Sequence, residues 1–286
     1  MATQLFQPPH GSLAWLDDAI ARSQDRVFSE TILLTPMLAN ELLKNNEANR
    51  HVSPLVVQQY ASDVRGQRWS LNGEPIIVAK NGQMNDGQHR CLAVIDANEP
   101  IEVVITFGVT RESQATVDTG KKRTVADIAG MRGVPNAALA SAISRMAIAF
   151  ERSNGRNLHA SKEISSAENL DRAQTDAAVA EAATYATSHS RYCKQHVGGS
   201  AIGFCFYILT RIHRNDAKAY LDQVCIGEGI KRNDPAHSVR ERLLNEGKQR
   251  DKKVAIILRG WTFYKRGRNV GPTSLPATLP FPALFS

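Results

Sequence analysis

The sequence predicts a mixed α+β fold, a small sheet with helices followed by an all-helical C-terminal domain, and three observations carry that expectation. The short β-branched run Pro75-Ile76-Ile77-Val78-Ala79 is followed at once by Asn81-Gly82, among the strongest two-residue hairpin signals. A second strand-like run, Ile101 to Phe107, lies beyond a stretch of helical composition, so strands and helices alternate. From Thr124 onward the texture turns to Ala-rich stretches with helical spacing. The 286 residues, 42% of them apolar, suffice for one large or two ordinary domains with real cores.

Element by element, Leu13 to Ser23 has helical spacing, and Thr31-Ile32-Leu33-Leu34 is β-prone. Thr35-Pro36, a cap followed by proline in a first turn, starts a helix through Leu43. The polar run Asn45 to Arg50 separates it from a second cap-and-proline pair, Ser53-Pro54. The helix that follows carries Leu55, Val56, Tyr60 and Val64 at helical intervals and ends near Gly66. A strand over Pro75 to Ala79, a turn and a short returning strand come next. Gly87 then opens a helix whose Cys91, Leu92, Val94 and Ile95 suit burial and which stops before Pro100. Ile101 to Phe107 is a strand, and Arg111 to Ala115 a short helix.

In the second half, helices are expected over Val125 to Met131, Asn136 to Arg152, Ala173 to Lys194, Ser200 to Arg214 and Ala217 to Ile226. The polar run Ser153 to Ser166 reads as a flexible connection, and the Pro-rich end from Gly271 to Ser286 as a segment without regular structure. The expected organisation is a first domain over 1–130, a basic helical domain over 131–270 and a tail over 271–286.

No window approaches the roughly 18 uninterrupted apolar residues of a membrane span, and Met1-Ala2-Thr3-Gln4 lacks the layout of a secretion signal. No membrane partner and a cytoplasmic setting are expected. Cys91, Cys193, Cys205 and Cys225 show no paired spacing and read as buried free thiols. The net charge of +7 is concentrated, because Lys231 to Arg268 holds twelve Lys/Arg against four Asp/Glu, a local balance of +8. Such a segment attracts phosphate polymers, DNA above all, or forms solvated helix faces. Within it, Arg259-Gly260-Trp261-Thr262-Phe263-Tyr264-Lys265-Arg266 suits either base stacking or an amphipathic helix with Ile256, Ile257, Trp261 and Tyr264 turned inward.

Asn85-Asp86-Gly87-Gln88-His89-Arg90 is the richest motif. A glycine ahead of a helix lets backbone N–H groups face an anion, and the helix dipole favours negative charge there. Arg90 suits a bidentate phosphate clamp, Asp86 a metal ion or a proton, and His89 acid-base chemistry near neutral pH. The same residues also suit a plain helix start with exposed polar side chains. Asp118-Thr119-Gly120-Lys121-Lys122-Arg123-Thr124 again joins a carboxylate, a permissive glycine and three cations ahead of a helix, a composition fit for phosphate or for a simple cap. Glu74 is a possible second carboxylate, while Arg65 and Arg68 read as structural partners of a helix end. His189, Cys193 and His196 share one helix face but lack a fourth zinc ligand, so no metal site is expected.

A β-hairpin feeding a Gly-X-X-Arg helix start resembles the phosphate-binding turn of the ParB/sulfiredoxin superfamily. The succession Leu71 to Pro75 (LNGEP), Asp86 to Arg90 (DGQHR) and Asp118 to Thr124 (DTGKKRT) is similar to ParB-like proteins of bacteriophages. The resemblance covers about the first 130 residues and implies a sulfiredoxin-like fold that binds a nucleoside triphosphate, ATP or CTP, with Mg²⁺. It departs from sulfiredoxin chemistry, since Gln88 stands where that enzyme carries its cysteine, and from the GERR form of chromosome-partitioning ParB. What it implies for this chain is NTP-dependent phosphoryl chemistry, hydrolysis or transfer, in a DNA-related process, in the host cytoplasm if the source is viral. Asp86, His89 and Asp118 are then the catalytic candidates, and Gly87, Gln88, Arg90, Thr119, Gly120, Lys122 and Arg123 the nucleotide-binding ones. The alternatives are a non-catalytic DNA-binding module, a ParB-like metal-dependent nuclease, or a structural interaction protein; a homo-oligomer fits any of these.

Overall fold

In the computed structural model, which describes residues 9–46, 49, 51–116, 123–158, 163–193, 196–278 and 280–282, the chain divides into two units, Met1–Lys122 and Arg123–Ser286. The first unit runs α1 (Leu13–Arg22), β1 (Phe28–Leu34), α2 (Pro36–Lys44), α3 (Pro54–Arg65), β2 (Pro75–Ala79), β3 (Met84–Asp86), α4 (Gln88–Ala97), β4 (Ile101–Val109) and a 3₁₀ turn over Arg111–Thr116. The caps are those the side chains can make. Ser12 Oγ accepts the Trp15 N–H at 3.1 Å and Thr35 Oγ1 that of Leu38 at 3.2 Å, each satisfying an N–H that the first helical turn leaves over.

The strands form one mixed sheet in the order β1-β4-β2-β3. β2 and β4 run parallel because α4 carries the chain back between them, whereas β1 pairs antiparallel with β4 and β3 antiparallel with β2. β1 starts three residues before the β-prone run, since pairing extends from Phe28 opposite Phe107 to Leu34 opposite Ile101. Alternate residues Ile32, Leu34, Ile76, Val78, Val103, Ile105 and Phe107 are buried and pack with Leu38, Leu42, Cys91 and Val94 of the helices.

The second unit is helical: α5 (Val125–Met131), α6 (Ala137–Arg152), α7 (Ser166–Thr175), α8 (Ala177–Cys193), α9 (Gly199–Ile226), α10 (Pro235–Leu244) and α11 (Arg250–Lys265). The boundary expected at residue 130 falls at 122/123 instead, because α5 packs on α6 and α7. The single helix expected over Ala173 to Lys194 is two. Asp176 is extended (φ −85°, ψ 102°), takes the Ala178 N–H on its own carboxylate at 2.9 Å and pairs with Arg172 at 2.8 Å, so its side chain restarts the helix. The two helices expected over Ser200 to Arg214 and Ala217 to Ile226 are both found within the α9 span, which is broken by the non-helical backbone of His213 (φ −154°, ψ 90°), within a few residues of the expected break. In the expected connection, Leu158 and Ile164 are buried, and 159–162 lie outside the described residues.

The Pro-rich end has little regular structure, as expected, but it is packed. It makes a 3₁₀ turn at Pro272–Ser274, buries Leu275 and Phe281 in the helical core, and is held by Arg259 donating to Pro276 O at 2.9 Å and Pro280 O at 3.1 Å. α11, in the basic segment, buries Val254 to Leu258 without a break, then Gly260 and Trp261, with Tyr264 half-buried. The Tyr220 hydroxyl donates to Ile257 O at 2.8 Å and ties it to α9. Among the described residues no helix is long and apolar enough to cross a membrane.

Candidate functional site

β3 delivers the chain to Gly87, which stands at φ +114°, ψ 0° as the N-cap of α4. Two constraints select glycine there: the positive φ, and the side chain of Ile76 on β2, whose Cγ1 would lie 2.8 Å from any Cβ. The turn is therefore seated directly on the sheet, and no side chain at the N-cap competes for the helix end. The first helical turn, Gln88, His89 and Arg90, is almost wholly buried, at 5, 8 and 8% exposure, which is unusual for three polar residues.

Each of the three has a protein partner. Gln88 Oε1 accepts from Asn46 Nδ2 at 3.1 Å. His89 Nε2 lies 3.0 Å from the Ser53 N–H, so that nitrogen is an acceptor and the ring pins the start of α3 against the turn. Arg90 donates to Glu74 O at 2.5 Å, to Pro75 O at 2.8 Å and to Asp86 Oδ2 at 2.8 Å. Its guanidinium thus joins both ends of the β2–β3 hairpin to the helix. Asp86, with a quarter of its side chain exposed, is the carboxylate nearest solvent at the turn. Glu74 reaches this corner through its backbone carbonyl while the residue itself is exposed.

Around the turn lies a ring of polar side chains drawn from the run after α2, from Asn85 of the motif and from the 3₁₀ turn after β4. Asn49 Nδ2 donates to Met84 O at 2.8 Å and also contacts Asn46, and Gln114 Nε2 donates to Asn49 Oδ1. Asn85 Nδ2 donates to Thr110 O at 2.9 Å, and Arg111 donates to both Met84 O and Asn85 Oδ1 at 2.8 Å. The run from Asn45 and the 3₁₀ turn after β4 therefore converge on the same β3–α4 junction. The only prior sign was the density of Asn and Gln in 45–50 and 85–88, which spacing does not interpret.

Asp118, Thr119, Gly120 and Lys122 lie outside the described residues. Arg123 is exposed and precedes a capping box in which Thr124 Oγ1 accepts the Asp127 N–H at 3.1 Å while Asp127 Oδ2 accepts the Thr124 N–H at 2.9 Å. Arg123 belongs to the second unit and the Gly87 turn to the first. Cys91, one turn along α4, is fully buried, and burial pushes its thiol up to about 12, against the opposing pull of Arg90. Arg65 pairs with Asp96 at 2.8 Å and Arg68 with Asp63 at 3.0 Å.

In the second unit His189 Nε2 meets Asp222 at 3.1 Å and its ring stacks on Tyr185 at 4.0 Å, while Cys193 Sγ donates to His189 O at 3.2 Å. Among the described residues no group of three His, Cys, Asp or Glu can hold a metal ion. All four cysteines are buried free thiols. Of the basic segment, Lys231, Arg232, Lys248, Arg250, Lys252, Lys265, Arg266 and Arg268 are exposed. Arg240, by contrast, turns inward and donates to Val224 O at 2.6 Å and Cys225 O at 2.7 Å, beneath the end of α9. No family model, curated protein or solved structure matches the chain.

Proposed function

We propose that this chain binds a nucleoside triphosphate at the Gly87 turn and works in a DNA-related process, as the resemblance of its motifs to ParB-like phage proteins implies. The observation that carries the reading is Gly87 itself. A left-handed glycine seated on a strand at the start of a ten-residue helix brings backbone and helix dipole to a place that suits phosphate oxygens. In this reading Arg90 and His89 are positioning residues: the first locks the hairpin to the helix, the second fixes the start of α3, and both keep the turn in one shape. Asp86 is the carboxylate at hand for a phosphate-bound Mg²⁺, which would neutralise polyphosphate charge.

A second reading, a DNA-binding module in which the nucleotide only switches conformation, is favoured by the same inward placement of Arg90 and His89 and by the exposed cations of the basic segment. Turnover separates the two.

The test is calorimetric titration of the four ribonucleoside triphosphates with Mg²⁺ into wild type and Gln88→Glu. The substitution keeps an oxygen for Asn46 and suits a helix N-terminus but repels phosphate. One nucleotide that binds wild type and is weakened at least about tenfold by the variant is expected. No binding of any nucleotide overturns the reading. Phosphate release then selects the enzymatic form. Steep salt dependence of duplex binding without turnover, reduced by about one unit of log-log slope per cation removed at Arg266 or Arg268, selects the module.

A further inference from the structure

A cavity of about 370 Å³ opens within the second unit, between α5, α6, α7 and the first residue of α11. That is the lower end of the range for small-molecule sites, and between helices is where bundles place them. It exists because α6 presents small residues, Ala138, Ser141 and Ala142, where a bundle ordinarily puts large ones. Its walls are apolar at Val125, Met146 and Leu158.

Two features go beyond unfilled space. Asn169, on the cavity wall and only 2% exposed, has its Nδ2 committed to Ser141 Oγ at 3.2 Å and its own carbonyl held by Ser144 Oγ at 3.1 Å. Its Oδ1 has no hydrogen-bond partner among the described residues. A buried acceptor left unsatisfied costs about 1–3 kcal/mol, and a ligand N–H or O–H removes that cost. Arg145, half-buried, with Ile164 O at 3.4 Å and Glu168 in electrostatic reach, and Arg250, exposed, also line the space, and no carboxylate is among its lining residues.

We propose that this cavity is a second ligand site, built for a small heteroaromatic anion of nucleoside-monophosphate size. The ring lies between Val125 and Met146, with an N–H of the ring or of an attached amine donating to Asn169 Oδ1 and the anionic group on Arg145 and Arg250. The site is separate from the Gly87 turn and does not depend on it.

The test uses the full chain and titrates AMP, CMP, GMP and UMP by calorimetry, with adenosine and inorganic phosphate as separate probes. Wild type is expected to bind at least one monophosphate more tightly than either adenosine or phosphate. Ala142→Leu fills the cavity from a half-buried position and leaves every polar group in place. It is expected to weaken binding at least about tenfold while the melting temperature holds or rises, since filling space adds packing. Arg145→Gln is expected to weaken the monophosphate but not adenosine. Absence of monophosphate binding at millimolar concentration overturns the proposal. So does binding that Ala142→Leu leaves unchanged, which lies elsewhere on the chain, and so does phosphate alone binding as well as the monophosphate, which leaves the apolar walls without a role.

Discussion

Replacing Gly87 by alanine tests the seating of the turn, and the structure allows the cost to be worked out. The new Cβ enters a backbone at φ +114°, which for an L residue costs about 1–2 kcal/mol. It also meets Ile76 Cγ1 at 2.8 Å and Cγ2 at 2.9 Å. Ile76 is fully buried, on a strand flanked on both sides, so it cannot step aside, and overpacking of this kind adds about 1–3 kcal/mol. The sum is about 2–5 kcal/mol, a large share of a domain's stability. With a urea dependence of about 2 kcal/mol per molar, a loss of about 3 kcal/mol lowers the midpoint by about 1.5 M. Because the chain has two units, the assay is hydrogen exchange of α4 and β2 amides along a urea series, which reports on the first unit alone. Ile76→Ala in the same chain removes the atoms that clash, so the double variant should be more stable than the sum of the single losses. An alanine variant whose midpoint matches wild type refutes the argument that the turn is pressed onto the sheet.

Arg90→Lys keeps the charge but loses the planar fork that reaches two carbonyls and Asp86; the first unit should lose about 2–4 kcal/mol, measured by the same exchange series. Glu30 is raised by burial but lowered further by hydrogen bonds from His10, Arg22 and Trp15, so its folded pKa lies below the usual 4.5. Its contribution is therefore present above the unfolded value and lost as pH falls through the folded one. Glu30→Gln should cost about 1 kcal/mol at pH 7 and nothing at a pH below the folded value, as read by urea titration at each pH. Cys91, buried and held as a thiol, should react with iodoacetamide at pH 8 only as fast as the first unit opens. Gly260→Ala would place a Cβ inside contact distance of Val239 and the Tyr220 hydroxyl, and should unfold α11 from α9 with a loss of several kcal/mol, seen as a drop in melting temperature.

Local signals decided much of this chain by themselves. The cap-and-proline pairs at Thr35 and Ser53, the Asn81-Gly82 turn, and the glycine before Gln88 each limit one or two backbone dihedrals, so α2, α3, the β2–β3 hairpin and α4 were readable with nearly their observed bounds. The mixed α+β class followed from their alternation. What depends on distant partners was not readable. Phe28-Ser29-Glu30 became strand because β4 offered a full row of partners, and the Pro-rich end became core because Leu275 and Phe281 found a hydrophobic space to fill. Asp176 split a helix because Arg172 was one turn away on the far side of the break. The motif around Gly87 shows the division most clearly. Its residue types were legible as an anion-ready helix start. That Arg90 and His89 face inward, onto Glu74 O, Pro75 O and the Ser53 N–H, was decided only when the fold brought those backbone groups within reach, because a long side chain goes to whichever partner tertiary contacts place at hydrogen-bonding distance.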